Sequence, residues 1–211
     1  PTVKVLIATR NPGKMREYES LLADVPTGGV PVEWVNLDDV GIDLEVEETG
    51  ETFEANARLK AAAYAGVSGL LTLADDSGLS VDALGGAPGV LSARYAGPDA
   101  TDRDRYLKLL RALEGLPPGD RGARFVCVVA IATPGGEVVT AEGDVKGRIN
   151  FEPRGANGFG YDPVFYVSGL RMTMAQLDES IKNRISHRAA ALQNAKPALA
   201  RLIASQAGAG G

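Results

Sequence analysis

Short apolar runs of strand length alternate with stretches of helical periodicity along most of this chain. Residues 3–8, 32–37, 70–74, 124–133 and 137–145 are rich in valine, isoleucine, leucine and alanine and predict strands. Between them, residues 52–65 place Phe53, Ala57, Lys60, Ala61 and Tyr64 at helical spacing, and residues 101–113 predict a second helix capped by Thr101 or Asp102. Residues 186–204 predict a last helix, and the small-residue tail 207–211 is expected to fray. Pro134-Gly135-Gly136-Glu137 joins two long strand patterns, as an antiparallel hairpin requires, so the sheet is expected to be mixed. The order is α/β, with one domain over residues 1–206, since no repeat, low-complexity linker or composition shift marks a boundary.

The first strand pattern ends in Thr9-Arg10-Asn11-Pro12-Gly13-Lys14 and then turns helical. Asn11 is a preferred N-cap, and Pro12 suits the first helical position because its missing N–H has no partner there in any case. Unsatisfied N–H groups, the positive end of the helix dipole, Arg10 and Lys14 together suit a phosphate, although the same turn also serves simply to cap a first helix.

The 211 residues, 45% hydrophobic and 23% charged, are those of a globular chain large enough to bury a substantial core. A net charge of −5 disfavours a broad nucleic-acid footprint, so an anionic partner must be held by a local cationic cluster or a metal. The single cysteine, Cys127, lies in an apolar run and excludes an internal disulfide framework. No apolar segment nears the roughly 20 residues that span a bilayer, and the first residues carry no signal-peptide pattern. Neither a membrane nor a nucleic-acid partner is expected, and a reducing cytoplasmic setting follows.

Candidate chemistry lies in four further places. Asp75 and Asp76 close the apolar run 70–74, where neighbouring side chains point to opposite faces, so one carboxylate can meet a ligand while the other braces the turn. An Asp-Ser-Gly turn with Ser77 and Gly78 is the structural alternative. The acidic stretch Glu45-Val46-Glu47-Glu48-Thr49-Gly50 can add a carboxylate, giving the hard oxygen ligands that suit Mg²⁺, or can be a solvated loop. Late in the chain, Gly155-Ala156-Asn157-Gly158-Phe159-Gly160-Tyr161-Asp162-Pro163 combines close-approach glycines with flat faces that either stack a base or anchor a core. Lys182-Asn183-Arg184-Ile185-Ser186-His187-Arg188 then sets the chain's one histidine among cations suited to phosphate and carbonyl oxygens.

These residues, taken in order, resemble the Ham1 family of non-canonical purine nucleoside triphosphate pyrophosphatases. Thr9, Asn11, Lys14 and Glu17 match its opening pattern, and Thr52, Phe53, Asn56, Ala57 and Lys60 its helix pattern. Ala-Asp-Asp-Ser-Gly-Leu at 74–79, Gly-Gly-x-Pro-Gly-Val at 85–90, Ser-Ala-Arg at 92–94, Phe-Gly-Tyr-Asp-Pro at 159–163 and Ser-His-Arg at 186–188 continue the match nearly end to end. One departure is Asp178-Glu179-Ser180-Ile181 ahead of Lys182, where many relatives place a glutamate next to the lysine.

The resemblance implies a long twisted mixed sheet flanked by helices, in two lobes with an intervening active-site cleft, and a homodimer. It implies hydrolysis of ITP, dITP and XTP to the monophosphate and pyrophosphate. Thr9, Arg10, Asn11, Pro12, Gly13 and Lys14 would hold the triphosphate, with Lys60 and Lys182 adding charge. Glu47 and Asp76 would bind Mg²⁺, with Asp76 also orienting or deprotonating the attacking water. Ser77, Phe159, Gly160, Tyr161, Asp162, His187 and Arg188 would bind the rest of the substrate, His187 and Arg188 towards its keto edge. A Maf-type pyrophosphatase of other nucleotides and a non-catalytic nucleotide-binding protein are the alternatives.

Overall fold

Val5 and Ile7 point to one face of the first strand, Leu6 and Ala8 to the other, and all are buried, so this strand is covered on both sides. In the computed structural model, which describes residues 2–209, the strands are β1 (Val3–Ile7), β2 (Val32–Asn36), β3 (Leu71–Val81), β4 (Gly122–Ala132), β5 (Val138–Ile149), β6 (Phe165–Val167) and β7 (Met172–Thr173). Among the described residues these form one seven-stranded sheet in the order β2-β1-β3-β4-β5-β6-β7. β1 pairs in parallel with β2 and β3, whereas β6 is antiparallel to β5 and β7. The sheet is therefore mixed and open, as expected. Its helices are α1 (Pro12–Leu22), α2 (Phe53–Ser68), α3 (Asp102–Ala112), α4 (Glu179–Ile185) and α5 (His187–Ala209).

The chain divides into two compact units whose boundaries fall inside β3, β4 and β5 and after the first residue of α5. The first unit comprises the chain up to Asp76, Cys127–Gly143, and everything from Arg188 onward. One of its cores packs Val5, Ile7, Leu71, Leu73 and Val129 against Tyr18 and Leu22 of α1 and Leu192, Leu199 and Ile203 of α5. The other packs Leu6, Ala8, Ala74, Val128 and Ala130 against Ala57, Ala61, Tyr64 and Ala65 of α2. The second unit, Ser77–Val126 with Asp144–His187, has its own core of Leu79, Val81, Leu109, Leu113, Phe125, Ile149, Val164 and Phe165.

Local signals act where the sequence places them. Thr52 caps α2 by accepting the Ala55 N–H, and Thr101 with Asp104 forms a capping box on α3. The β4–β5 turn is closed by the Thr133 N–H donating to the Glu137 carbonyl at 2.9 Å, with Gly136 at φ 97°.

Several elements differ from expectation: β6 and β7 have no counterpart among the expected strands, β5 runs to Ile149 rather than 145, and α2 to Ser68 rather than 65. β3 continues seven residues past Ala74, to Val81, so Asp75 and Asp76 stand mid-strand rather than at a strand end or in an Asp-Ser-Gly turn. Lys182 lies in a separate helix, α4, which stops at Ser186 before α5 starts at His187. α5 then runs on to Ala209, past the expected end at 204; of the tail, residues 210–211 lie outside the described residues.

Candidate active site

In the first unit, the period of β3 separates its two adjacent carboxylates. Leu71 and Leu73 face the core of α1 and α5, and Asp75 continues that face; Ala74 faces α2, and Asp76 continues that one. Asp75 Oδ2 lies 3.0 Å from Lys14 Nζ and 3.4 Å from Arg188 Nη2, and accepts a long contact from Cys127 Sγ at 3.7 Å. Asp76 Oδ2 instead accepts the Asn56 amide at 2.9 Å.

Their electrostatics diverge accordingly. Burial works against a charged Asp75, but Lys14, Arg188 and Lys60 outweigh it and hold this carboxyl well below the usual carboxylate range. Burial raises the Asp76 pKa and Glu48 pushes it further up, with Lys60, the Asn56 amide and Lys14 pulling the other way. Lys60 is itself held charged: burial opposes its ammonium, yet Asp75, Glu48 and Asp76 together raise its pKa, and it forms an ion pair with Glu48.

Glu48 is thus the acidic-segment residue that the structure brings to Asp76, whereas Glu47, the expected metal ligand, is exposed. The two glutamates are adjacent in an irregular stretch, so no sequence periodicity separates them. Asn56 is part of the helix pattern in the sequence, which by itself gives it no role. A fully buried amide on a helix face is the signal that marks it.

The first turn of α1 carries its positive charge on side chains. Asn11 Oδ1 accepts the Gly13 and Lys14 N–H groups at 2.8 and 3.1 Å, and Asn11 N–H donates to Thr9 Oγ1, so the cap engages the amides expected to be open. Pro12 occupies the first helical position, as expected. Arg10 turns to the Ile42 carbonyl at 2.5 Å and to Asp38 at 3.5 Å, whereas Lys14, Lys60 and Arg188 are the cations that act on the adjacent aspartates.

Arg188 differs most from the expected keto-edge reader. It is 1% exposed, forms an ion pair with Glu17, reaches Asp75, and lies over the Tyr18 ring at 5.8 Å. Burial acts against its charge, but Asp75 and Glu17 keep the guanidinium firmly protonated.

In the second unit, Phe159-Gly160-Tyr161-Asp162 forms a turn secured by carboxylates. Asp162 Oδ2 accepts the Phe159 N–H at 3.0 Å and the Lys182 ammonium at 2.6 Å, while Asp102 Oδ2 accepts the Gly160 N–H at 2.7 Å. Gly158, at φ 73°, allows the close approach, because a Cβ there would run into the Asp162 carboxylate. The two aromatics divide the readings left open by sequence. Tyr161 is a core anchor whose hydroxyl donates to the Ser92 carbonyl at 2.8 Å; Phe159 is half-buried, with Lys182 Nζ 4.6 Å from its ring centre. Ser77 is half-buried on β3, and His187 stacks on Phe125 at 4.8 Å between ring centres.

The chain matches the model of the Ham1 family over residues 5–198. It belongs to the Ham1 family. It is 53% identical over 190 residues to a dITP/XTP pyrophosphatase of Bacillus licheniformis, covering 90% of this chain and 94% of that one. A dITP/XTP pyrophosphatase of Bacillus subtilis is 48% identical over 90% of this chain and 93% of its own length. Among solved structures, a HAM1 protein from Coxiella burnetii superposes with a TM-score of 0.83 at 42% identity, covering 94% of this chain and 99% of that one. A nucleoside-triphosphatase / dITP/XTP pyrophosphatase from Mycobacterium abscessus gives 0.74 at 46% identity, covering 90% and 96%.

Proposed function

We propose that this protein hydrolyses the non-canonical purine nucleotides ITP, dITP and XTP to their monophosphates and pyrophosphate, removing them from the nucleotide pool. Relatives named dITP/XTP pyrophosphatase, at 45–53% identity over most of both chains, support the substrate class. The observation that carries the chemistry is the buried Asp76, with a raised pKa, beside Glu48, Lys60 and Lys14.

The donor set suits Mg²⁺. Asp76 and Glu48 are hard oxygen donors, and no cluster of three or more acidic, histidine or cysteine side chains able to hold a metal occurs among the described residues. Such a pair fits an ion that takes one or two carboxylates and fills its shell with water and substrate phosphate. Bound there, Mg²⁺ would neutralise developing phosphate charge and lower the pKa of a coordinated water.

The chain's own groups do the rest. Lys14, fixed by Asp75, and Lys60 hold the triphosphate electrostatically. Asp76 orients the attacking water and accepts its proton at a buried carboxylate whose plane is held by the Asn56 amide. Of the second unit, Phe159, Lys182, Ser77 and His187 are kept only as expected substrate-binding residues, with Lys182 over the Phe159 ring and His187 stacked on Phe125. Glu48 replaces Glu47 in this assignment because Glu48 is the carboxylate whose charge acts on Asp76. We further propose that the protein works as a cytoplasmic homodimer; no helix among the described residues is long and apolar enough to cross a membrane.

The test is a titration of turnover with Mg²⁺ for the unaltered protein and for Glu48→Gln and Glu47→Gln. Glu48→Gln should raise the Mg²⁺ needed for half-maximal rate by about tenfold or more, the effect typical of lost metal-site support. Glu47→Gln should leave it unchanged, and the reverse order would return the ligand role to Glu47.

A further inference from the structure

The acidic segment has no regular secondary structure between Ile42 and Gly50, yet it is fastened along its length. Asn56, Lys60 and Tyr64 recur every four residues and so form one stripe of α2. Each engages the segment in turn: Asn56 Oδ1 accepts the Gly50 N–H at 2.7 Å, Lys60 pairs with Glu48, and the Tyr64 hydroxyl donates to the Leu44 carbonyl at 3.0 Å. One helix face thus reads the segment at positions 50, 48 and 44.

Asn56 differs from the other two because it reaches a second element. Its Nδ2 donates to Asp76 Oδ2 at 2.9 Å while its Oδ1 holds Gly50, and its side chain is 0% exposed. An amide has a donor end and an acceptor end, and here both are used on opposite partners. The approach of Gly50 is close: a Cβ there would lie 2.6 Å from Asn56 Oδ1 and 2.8 Å from Ala55 Cβ, so only glycine lets the backbone come this near. An aspartate in place of Asn56 has no amide donor, and a leucine has neither group.

We propose that Asn56 is a positioning residue that sets the spacing of the two metal-binding carboxylates, holding Asp76 directly and Glu48 through the Gly50 backbone. This rests on the Mg²⁺ site proposed above. By occupying one lone-pair direction of Asp76 Oδ2, the amide fixes the carboxylate plane and restricts where a cation can approach it. By anchoring Gly50, it limits the excursion of Glu48, two residues away. Asn56 touches neither metal nor nucleotide, so its loss acts on metal affinity and on turnover and leaves the phosphate cations Lys14 and Lys60 in place.

The experiment compares the unaltered protein with Asn56→Ala and Asn56→Ser. Mn²⁺ binding is read by electron paramagnetic resonance in the presence of α,β-methylene-ITP, whose bridging carbon resists cleavage. The same proteins are followed by exchange of the Gly50 amide in NMR and by steady-state kinetics with ITP at saturating Mg²⁺. Asn56→Ala should weaken Mn²⁺ about tenfold or more, unprotect the Gly50 amide and lower kcat at least tenfold, with KM for ITP changed less than about threefold. Asn56→Ser, which keeps a hydroxyl but is too short to span both partners, should fold and show the same loss of Gly50 protection with a smaller loss of Mn²⁺ affinity. It also serves as the deciding variant should Asn56→Ala fail to fold. Unchanged Mn²⁺ affinity and kcat in a folded variant whose Gly50 amide has lost protection would overturn the positioning role alone. If the unaltered protein binds no Mn²⁺ in this assay, the metal site itself fails, and this inference fails with it.

Discussion

The ammonium of Lys14 lies 3.0 Å from Oδ2 of Asp75, while the neighbouring Asp76 bonds to an amide instead. Adjacent carboxylates on one strand therefore have opposite thermodynamic roles. The Asp75 pKa is depressed, so its contribution to stability is fully present above the unfolded value of about 3.9 and is lost as pH falls towards its folded value. The Asp76 pKa is raised, so ionising it above about pH 3.9 draws stability down. Asp75→Asn strands the Lys14 and Arg188 cations and should cost about 3–5 kcal/mol at pH 7. Asp76→Asn should be neutral or stabilising there. Denaturant unfolding of both variants at pH 7 checks this, and a larger loss for Asp76→Asn would reverse the assignment.

Turnover should show the opposite order of sensitivity at Asp76. Asparagine keeps the shape and can still accept from Asn56, but it is neither an anionic ligand nor a useful base. Asp76→Asn should lower kcat by about 10²-fold or more while nucleotide binding largely persists. Single-turnover kinetics on the folded variant, together with binding of α,β-methylene-ITP, measures both quantities; near-normal kcat would remove Asp76 from the chemistry.

In the proposed assignment Lys14 meets phosphate, so it should be blind to the base. Lys14→Ala is expected to weaken ITP and ATP by similar factors and leave their ratio nearly constant. Steady-state constants for both nucleotides at matched Mg²⁺ provide the check. A change in base preference with little change in affinity would show that Lys14 reads something other than phosphate.

Arg188 and Glu17 form an ion pair whose two members are 1% and 4% exposed, which makes each dependent on the other. Arg188→Ala alone should destabilise by about 3–5 kcal/mol, since it leaves buried carboxylates without this cation. Adding Glu17→Ala should recover part of that loss, with a coupling of about 1 kcal/mol or more in a double-mutant cycle. Strictly additive effects would show that the pair does not function as a unit in solution.

Much of this was legible before any coordinates. β1, α1, α2, α3 and the β4–β5 turn follow from apolar periodicity, the Asn11 and Thr101 caps and Gly136, all of which act locally. The run past Ala74 was harder to read, because Asp75, Asp76 and Ser77 carry the composition of a turn. The lysines, arginine and asparagine that allow those carboxylates inside a strand come from α1, α2 and α5. The proposed choice of Glu48 over Glu47 rests on Lys60 and Asn56, which meet this segment across a gap that sequence spacing cannot measure. Arg188 reads in sequence as part of a cationic cluster aimed at the keto edge, because its counter-charge, Glu17, lies 171 positions away, beyond any local pattern. Tyr161 and Phe159 sit in one motif, and only the Ser92 carbonyl and the surrounding core distinguish anchor from open face.

The central claim is the reaction, and product analysis across a nucleotide panel tests it most directly. The purified protein is incubated with Mg²⁺ and ITP, dITP, XTP, ATP or dTTP in turn, and pyrophosphate and orthophosphate are quantified separately. ITP, dITP and XTP should each yield pyrophosphate and monophosphate in equal amounts, with little turnover of ATP or dTTP. Preference for dTTP or ATP, release of orthophosphate as the direct product, or binding without turnover would contradict it.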